Sequence, residues 1–213
     1  MPAPATTTEL FFSSYKPATL AKGEQLLHPS NLTPPPISYL VDGVIVEYAI
    51  SDSGTKTIIN TYKPGSFFPS SAAVNNTPNK YHFEATVQSI VRQAPAETVR
   101  EFLLANPEVT YELLQRLYRG LDGLTGRLEV LLGANASSRI LYELTIQAER
   151  FGTQSADGTL IAITESELAE HTGLARETIS RELNKLKATN VLSVTRGKVV
   201  LRNLQAPQTS DVH

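Results

Sequence analysis

The sequence lacks cysteine and tryptophan altogether and contains a single methionine. Without cysteine the chain can form no disulfide bond, no thiolate zinc or iron–sulfur site and no cysteine redox switch. No run of apolar residues approaches the roughly 18 that a transmembrane helix needs. The stretch from Met1 to Leu10 also lacks the charged-then-apolar order of a signal peptide. We therefore expect a cytoplasmic protein with no membrane association.

The first half of the chain has the pattern of a small β domain. The whole chain has 213 residues, 41% of them hydrophobic, which suffice for one large domain or two small ones. Apolar runs at 37–41, 44–50 and 57–62 are separated by turn residues, a spacing typical of an antiparallel sandwich or roll. Residues 1–16, rich in Pro, Ala and Thr, are expected to form a loosely held terminus.

Beyond Pro95 the apolar period changes from two residues to about three and a half. Six leucines follow one another in steps of three and four, which predicts a helix with one narrow apolar seam. A seam this narrow favours pairing with a second copy of the helix, and packing onto the roll of the same chain is the alternative. Gly120, Gly123 and Gly126 weaken the helix, and the close approach of a second backbone would compensate for them. The seam comprises Leu114, Leu117, Leu121, Leu124, Leu128 and Leu131.

A helix-turn-helix is predicted towards the carboxyl end. Thr164 and Glu167 form a Thr-x-x-Glu capping box, so a helix begins there. It ends at Gly173, where glycine permits a left-handed backbone. A second helix runs from Ala175 to about Ala188, with one buried apolar stripe. The stripe comprises Ile179, Leu183 and Leu186.

The opposite face of this second helix carries candidates for reading bases. Arg176, Glu177, Ser180 and Arg181 lie in its first two turns, the part of a recognition helix that reaches base edges. Arg181 can donate two parallel hydrogen bonds to guanine O6 and N7, and Glu177 can accept one from cytosine N4. The alternative is that Glu177 and Arg181, four residues apart, form an ordinary surface ion pair.

Positive charge is concentrated in the same part of the chain. The net charge of the whole chain is −2, but residues 175–205 contain seven Lys and Arg against two Glu, and such a patch attracts phosphates. The runs 191–194 and 199–201, joined by a basic turn, are typical of the wing of a winged helix. The alternative for the residues of this turn is that they form a solvated hairpin tip and do not contact phosphates. Phosphate contacts are predicted for Thr164, Thr178, Lys185, Arg196 and Lys198.

These motifs resemble a known family. The run from Leu174 to Arg181, Leu-Ala-Arg-Glu-Thr-Ile-Ser-Arg, resembles the recognition-helix signature of the cyclic-AMP receptor protein and fumarate-nitrate regulator (CRP/FNR) superfamily of bacterial transcription factors. Residues 106–108 and 138–140 are similar to that family's dimer helix and hinge. Residues 41–43 and 63–67 resemble its β-roll. The resemblance covers about residues 20–201.

The resemblance implies an α+β fold. Its parts are an N-terminal antiparallel β-roll of the cyclic-nucleotide-binding kind, a long dimerisation helix and a C-terminal winged helix-turn-helix. The corresponding segments are a flexible N-terminus at 1–16, a sensor roll at 17–106, the dimer helix at 107–134, the DNA-binding domain at 135–205 and a flexible tail at 206–213.

The resemblance also implies a function. It predicts a homodimer whose two recognition helices enter successive major grooves of a pseudo-palindromic DNA site, with RNA polymerase as a further candidate partner. Glu177, Ser180 and Arg181 together resemble the fumarate-nitrate type, whose half-sites are of the TTGAT kind. Arg176 resembles the cyclic-AMP type, which reads TGTGA. A half-site with a TGA core fits either type.

The effector is expected to differ from cyclic AMP. Family members that bind cyclic nucleotides use a glycine-glutamate pair for the ribose and an arginine-serine pair for the cyclic phosphate. Residues 65–71 contain no glutamate and residues 79–83 no arginine, so a cyclic phosphate would lack its bidentate partner. The missing cysteines exclude the iron–sulfur sensing of the fumarate-nitrate branch. The family's pocket location gives the candidates Phe67, Ser70, Ser71, Tyr81, His82, Leu124 and Thr125.

Two other classes of function stay open. One is a β-roll module that binds a ligand or a protein without specific DNA readout, and steep salt dependence of DNA binding would argue against it. The other, least favoured, is a cupin-like enzyme, which needs about three histidines and a carboxylate. His28, His82 and His171 are dispersed along the chain, so we predict no catalytic residue, no metal and no cofactor.

Overall fold

The computed structural model describes residues 5–29, 34–52, 54–133, 135–195 and 197–202. The described residues divide into two compact units between Tyr118 and Arg119. Among the helices described, none is long and apolar enough to cross a bilayer. In chain order the elements are α1 (Thr7–Ser13), β1 (Pro17–Leu20), β2 (Gln25–Leu27), β3 (Ile37–Asp42), β4 (Ile45–Ile50), β5 (Lys56–Tyr62), β6 (Phe67–Phe68), α2 (Ser70–Asn75), β7 (His82–Ala85), β8 (Ser89–Ala94), α3 (Ala96–Ala105), α4 (Pro107–Gly133), α5 (Ala136–Phe151), β9 (Thr153–Ser155), β10 (Gly158–Ile161), α6 (Glu165–Thr172), α7 (Arg176–Ala188), β11 (Leu192–Thr195) and β12 (Lys198–Leu201).

The first unit is built on two four-stranded antiparallel sheets. Their strand orders are β1-β8-β3-β6 and β2-β7-β4-β5, which confirms the predicted roll. The turn between β3 and β4 requires glycine, because Gly43 has φ +96° and a Cβ there would lie 2.2 Å from Ser89 Oγ.

Aromatic side chains fill the interior of the roll. Phe68 and Phe83 are fully buried and stack with ring centroids 5.4 Å apart. Tyr62 stacks on Phe68 at 4.4 Å. Because aromatic residues bury the largest apolar areas, these rings contribute much of the stability of this unit.

The expectation of a loosely held segment over residues 1–16 is wrong for its described part. Thr6 caps α1 by accepting a hydrogen bond from the Glu9 amide at 3.1 Å. Phe12 is fully buried and stacks on Tyr39 at 5.1 Å, while Phe11 stacks on Phe102 at 4.1 Å. These aromatic contacts hold the segment, and residues 1–4 lie outside the described part.

The predicted leucine helix is part of α4, which is 27 residues long. The two units divide within this helix, whereas the sequence assigned all of 107–134 to a segment of its own. The predicted segment boundaries therefore stay a prediction. Residue 134 and the predicted tail at 206–213 lie outside the described residues.

The second unit packs helices onto a four-stranded antiparallel sheet of order β11-β12-β10-β9. Its core includes the fully buried Ile140, Leu144 and Ile179. Strands β9 and β10 form a hairpin, in which Thr159 pairs with Gln154. All three residues of β9 are polar and exposed, so this strand has no apolar alternation by which the sequence could reveal it.

At one of the three helix glycines, a side chain of the same chain occupies the space that a Cβ would need. A Cβ on Gly126 would lie 1.8 Å from the Tyr142 hydroxyl, whereas Gly120 and Gly123 have nothing within 4 Å. The small residue at position 126 therefore makes room for α5.

Candidate nucleic-acid interface

The helix-turn-helix begins with the predicted capping box. Thr164 Oγ1 accepts a hydrogen bond from the Glu167 amide at 3.2 Å, and Glu167 Oε2 accepts one from the Thr164 amide at 2.7 Å. The turn between α6 and α7 contains Gly173 in the left-handed region, with φ +67°. Arg139 on α5 donates to the Thr172 carbonyl at 2.5 Å. The hydrogen bond from Arg139 therefore ties the turn to α5.

The apolar stripe of α7 determines which of its faces is exposed. Ile179, Leu183 and Leu186 are at most 8% exposed and belong to the core of the second unit. The opposite face is therefore open to solvent. Three predicted base-reading residues, Arg176, Glu177 and Arg181, are exposed, and the fourth, Ser180, is half-buried.

The ion pair between Glu177 and Arg181, which was the alternative to base reading, does not form in this structure. Arg181 Nε instead donates to Glu182 Oε1 at 3.2 Å, and Lys185 Nζ donates to the same oxygen at 2.8 Å. Glu177 thus remains available at the exposed start of α7. Glu182, which sequence reasoning did not single out, is 5% exposed.

The predicted phosphate contacts lie in three places. Thr164 is exposed at the N-cap of α6, while Thr178 is half-buried and Lys185 exposed on α7. Lys198 is exposed at the start of β12, on the wing hairpin that pairs Thr195 with Lys198. Arg196 lies outside the described residues.

An open groove of about 450 Å³ brings several of these elements together. Thr164 and Ser166 line it from the start of α6, Arg176 from the start of α7, and Thr195 and Gly197 from the wing. The start of the recognition helix and the wing therefore face the same space.

A buried polar network joins α4, α5 and α6 within the second unit. The Glu143 carboxylate, 2% exposed, accepts from Arg127 Nε at 3.0 Å and Nη2 at 3.2 Å. Gln147 Nε2 donates to Glu143 at 2.8 Å. His171 Nδ1 lies 3.3 Å from Glu143 Oε1; burial lowers the pKa of His171, and the nearby Glu143 carboxylate opposes that shift. Sequence spacing gave no signal for the contacts of Glu143 with Arg127 and His171, because these residues are far apart in the chain.

The candidate effector residues lie in both units. Within the first unit Phe67 is buried against Phe12, Ser70 begins α2, and Ser71 is exposed. Tyr81 and His82 are half-buried. The remaining candidates, Leu124 and Thr125, belong to the second unit, and the pocket as a whole stays a prediction.

Asn79, which precedes β7, uses its side-chain amide within the roll. The Asn79 side chain donates to the His28 carbonyl at 2.9 Å and to the Tyr81 carbonyl at 2.6 Å. His82 stacks on Tyr48 at 5.0 Å, and burial lowers the pKa of His82. Within the part of the chain that the structure describes, no three His, Asp or Glu side chains cluster as metal ligands would.

The leucine seam is exposed along α4. The exposed fraction of its side chains ranges from 44% at Leu114 to 57% at Leu117. A continuous apolar stripe of this kind is unusual on a surface that faces only water.

Comparison with known proteins gives two domain matches. The family model for the cyclic nucleotide-binding domain matches residues 18–106, and the model for the Crp-like helix-turn-helix domain matches residues 138–206. Together they match about three quarters of the chain.

Individual relatives span most of the chain. The global nitrogen regulator of Synechocystis sp. is 25% identical over 171 residues, which is 78% of this chain and 76% of that protein. The transcriptional regulator SdrP of Thermus thermophilus is 24% identical over 185 residues, 86% of this chain and 88% of that protein. The c-di-GMP-responsive global regulator CLP of Xanthomonas campestris shares the fold, with a TM-score of 0.78, 19% identity, and coverage of 92% of this chain and 98% of that one.

Proposed function

The chain belongs to the CRP/FNR superfamily of transcription regulators, and from this premise we propose that it binds, as a homodimer, a pseudo-palindromic DNA site whose half-sites contain a TGA core. The coarser function, transcription regulation through a helix-turn-helix DNA-binding domain, follows from the family. The site sequence, the dimer and the effector are the proposal. RNA polymerase is a further proposed partner.

The observation that carries the proposal is the exposed start of α7. Arg176, Glu177 and Arg181 face solvent there, while the apolar stripe holds the other side of the helix in the core. Arg181 offers the guanidinium fork that guanine accepts, and Glu177 offers the carboxylate that accepts from cytosine N4. A TGA core contains one guanine, and its complementary strand contains the paired cytosine.

The leucine seam supports the homodimer. Six leucines in steps of three and four cover one face of α4, each about half exposed in the single chain. A second copy of the same helix presents the same seam, so pairing would cover both. A dimer also gives the two half-sites of a pseudo-palindrome one recognition helix each.

The composition of the roll supports an effector other than cyclic AMP. Asn79 and Tyr81 stand in the stretch where nucleotide-binding relatives have an arginine-serine pair, and the Asn79 amide is already bonded to backbone carbonyls. Neither residue is charged, and the exposed Lys80 between them lacks the planar fork with which an arginine binds a phosphate in a bidentate manner.

Selection of bound duplexes from a random pool tests the proposal. The wild-type protein should enrich inverted repeats with a TGA core in each half. Arg181→Ala should lose discrimination at the guanine by about 1–3 kcal/mol. Enrichment of no sequence, or an unchanged preference in Arg181→Ala, would show that α7 does not read bases as proposed.

A further inference from the structure

Glu182 is an unusual residue for its position on α7. It lies beside Leu183 on the side of the helix that packs into the core, and it is 5% exposed. Carboxylates are rarely buried to this extent unless they are paired, because the loss of hydration is costly. Glu182 is therefore expected to have specific partners that offset the loss of hydration.

Three donors surround the Glu182 carboxylate. Oε2 accepts from Ser137 Oγ at 2.6 Å, and Oε1 accepts from Lys185 Nζ at 2.8 Å and from Arg181 Nε at 3.2 Å. The hydrogen bond from Lys185, followed by that from Ser137, lowers the pKa of Glu182 to about 2. The carboxylate is therefore ionised throughout the neutral range, and it links α7 to the first turn of α5.

The geometry at Arg181 leaves its recognition fork open. The contact to Glu182 uses Nε, so the two terminal Nη groups are not consumed by it. The Arg181 side chain is 64% exposed, whereas that of Glu182 is 7% exposed. The Arg181 side chain is thus held at Nε, while its two Nη groups stay free of this contact.

We propose that Glu182 is a positioning residue that determines specificity: it fixes the guanidinium of Arg181 so that the Nη fork faces a guanine edge. The inference rests on the proposed function of α7. A preorganised side chain loses less conformational entropy on binding than a free one, and the gain applies only where the fork finds its guanine.

The same contacts also reduce the non-specific attraction of α7 for DNA. The Glu182 carboxylate offsets part of the charge of Arg181 and Lys185, the cations nearest to it. Neutralisation of phosphates by cations governs non-specific binding. Removal of the negative charge of Glu182 should therefore strengthen binding to unrelated duplexes. Discrimination and non-specific affinity should therefore change in opposite directions, which a general loss of folding cannot produce.

The test compares wild type, Glu182→Gln and Glu149→Gln. Glutamine keeps an oxygen that can accept from Ser137 but removes the charge, and Glu149, exposed on α5, gives the same charge change away from α7. Dissociation constants are measured at fixed salt on the selected duplex, on that duplex with its guanine replaced by adenine, and on an unrelated duplex. Thermal unfolding confirms that each variant is folded.

Glu182→Gln should discriminate between guanine and adenine about tenfold less than wild type. It should bind the unrelated duplex at least as tightly as wild type does. Combined with Arg181→Ala, it should cause no further loss of discrimination. Glu149→Gln should match wild type in discrimination. Unchanged discrimination in Glu182→Gln, or a proportionate loss on all duplexes, would overturn the positioning role while the proposed function stands. A wild-type protein that prefers no duplex would contradict the proposed function itself, and this inference with it.

Discussion

If two chains pair through the leucine seam of α4 as proposed, charging the seam should convert the protein from dimer to monomer. In Leu121→Glu/Leu124→Glu two central seam positions receive carboxylates. The two leucines are 46% and 51% exposed in the single chain, so pairing would cover about half of each side chain. Full burial of a leucine is worth about 1.5–3 kcal/mol, and half of that is about 1 kcal/mol.

The double substitution therefore removes about 4 kcal/mol of apolar burial from a dimer, because two leucines are lost from each of two chains. Four carboxylates placed in the interface add a desolvation and repulsion cost. Since 1.4 kcal/mol corresponds to a tenfold change, the dimer dissociation constant should rise by about a thousandfold or more.

Sedimentation equilibrium over a range of protein concentrations measures this change. Val74→Glu/Leu104→Glu is the matched control, because both residues are exposed apolar side chains outside α4 and the variant adds the same charge. The control should dimerise as wild type does. A dimer of undiminished strength in Leu121→Glu/Leu124→Glu would refute the reasoning, since the seam would then not be the interface.

Three further predictions concern the second unit. Gly126→Ala should lower the thermal midpoint of this unit because the new Cβ meets Tyr142. Gly123→Ala should stabilise the unit by up to about 1 kcal/mol through better helix propensity and so raise the midpoint; equal shifts of the two midpoints would contradict this. Leu144→Ala, at a fully buried position, should cost about 3–5 kcal/mol in denaturant unfolding, and a cost below 1 kcal/mol would contradict the packing described. Burial lowers the pKa of His171 below 6.5 in the folded state, so at pH values below 6.5 the unfolded chain binds a proton there more readily than the folded chain does. The free energy of unfolding should therefore decrease as the pH falls below 6.5. Thermal midpoints measured against pH should decrease less in His171→Gln than in wild type.

Local patterns in the sequence predicted much of the second unit. The capping box at Thr164 and Glu167 forms as expected, because its partners are three residues apart and its geometry is set within one helical turn. The apolar stripe of α7 and the paired strands of the wing also follow from short-range periodicity. The exposed face of the recognition helix could therefore be identified before its surroundings were known.

Contacts between distant residues could not be predicted in this way. Arg127 and Glu143 pair across two helices, and Glu182 meets Ser137 from 45 residues away. In α1 the aromatic residues Phe11 and Phe12 gain their burial from partners far along the chain. Such contacts depend on the tertiary arrangement, for which one sequence carries no periodic signal.

The salt dependence of binding to the selected duplex tests the central claim most directly. If the exposed cations of α7 and the wing neutralise about six to ten phosphates per dimer, the affinity should fall by about 10³–10⁵ between roughly 50 and 200 mM salt. The protein should keep its preference for the selected duplex over an unrelated one across that range. An affinity that is independent of salt, or the absence of binding to any duplex at the lowest salt concentration, would contradict the account.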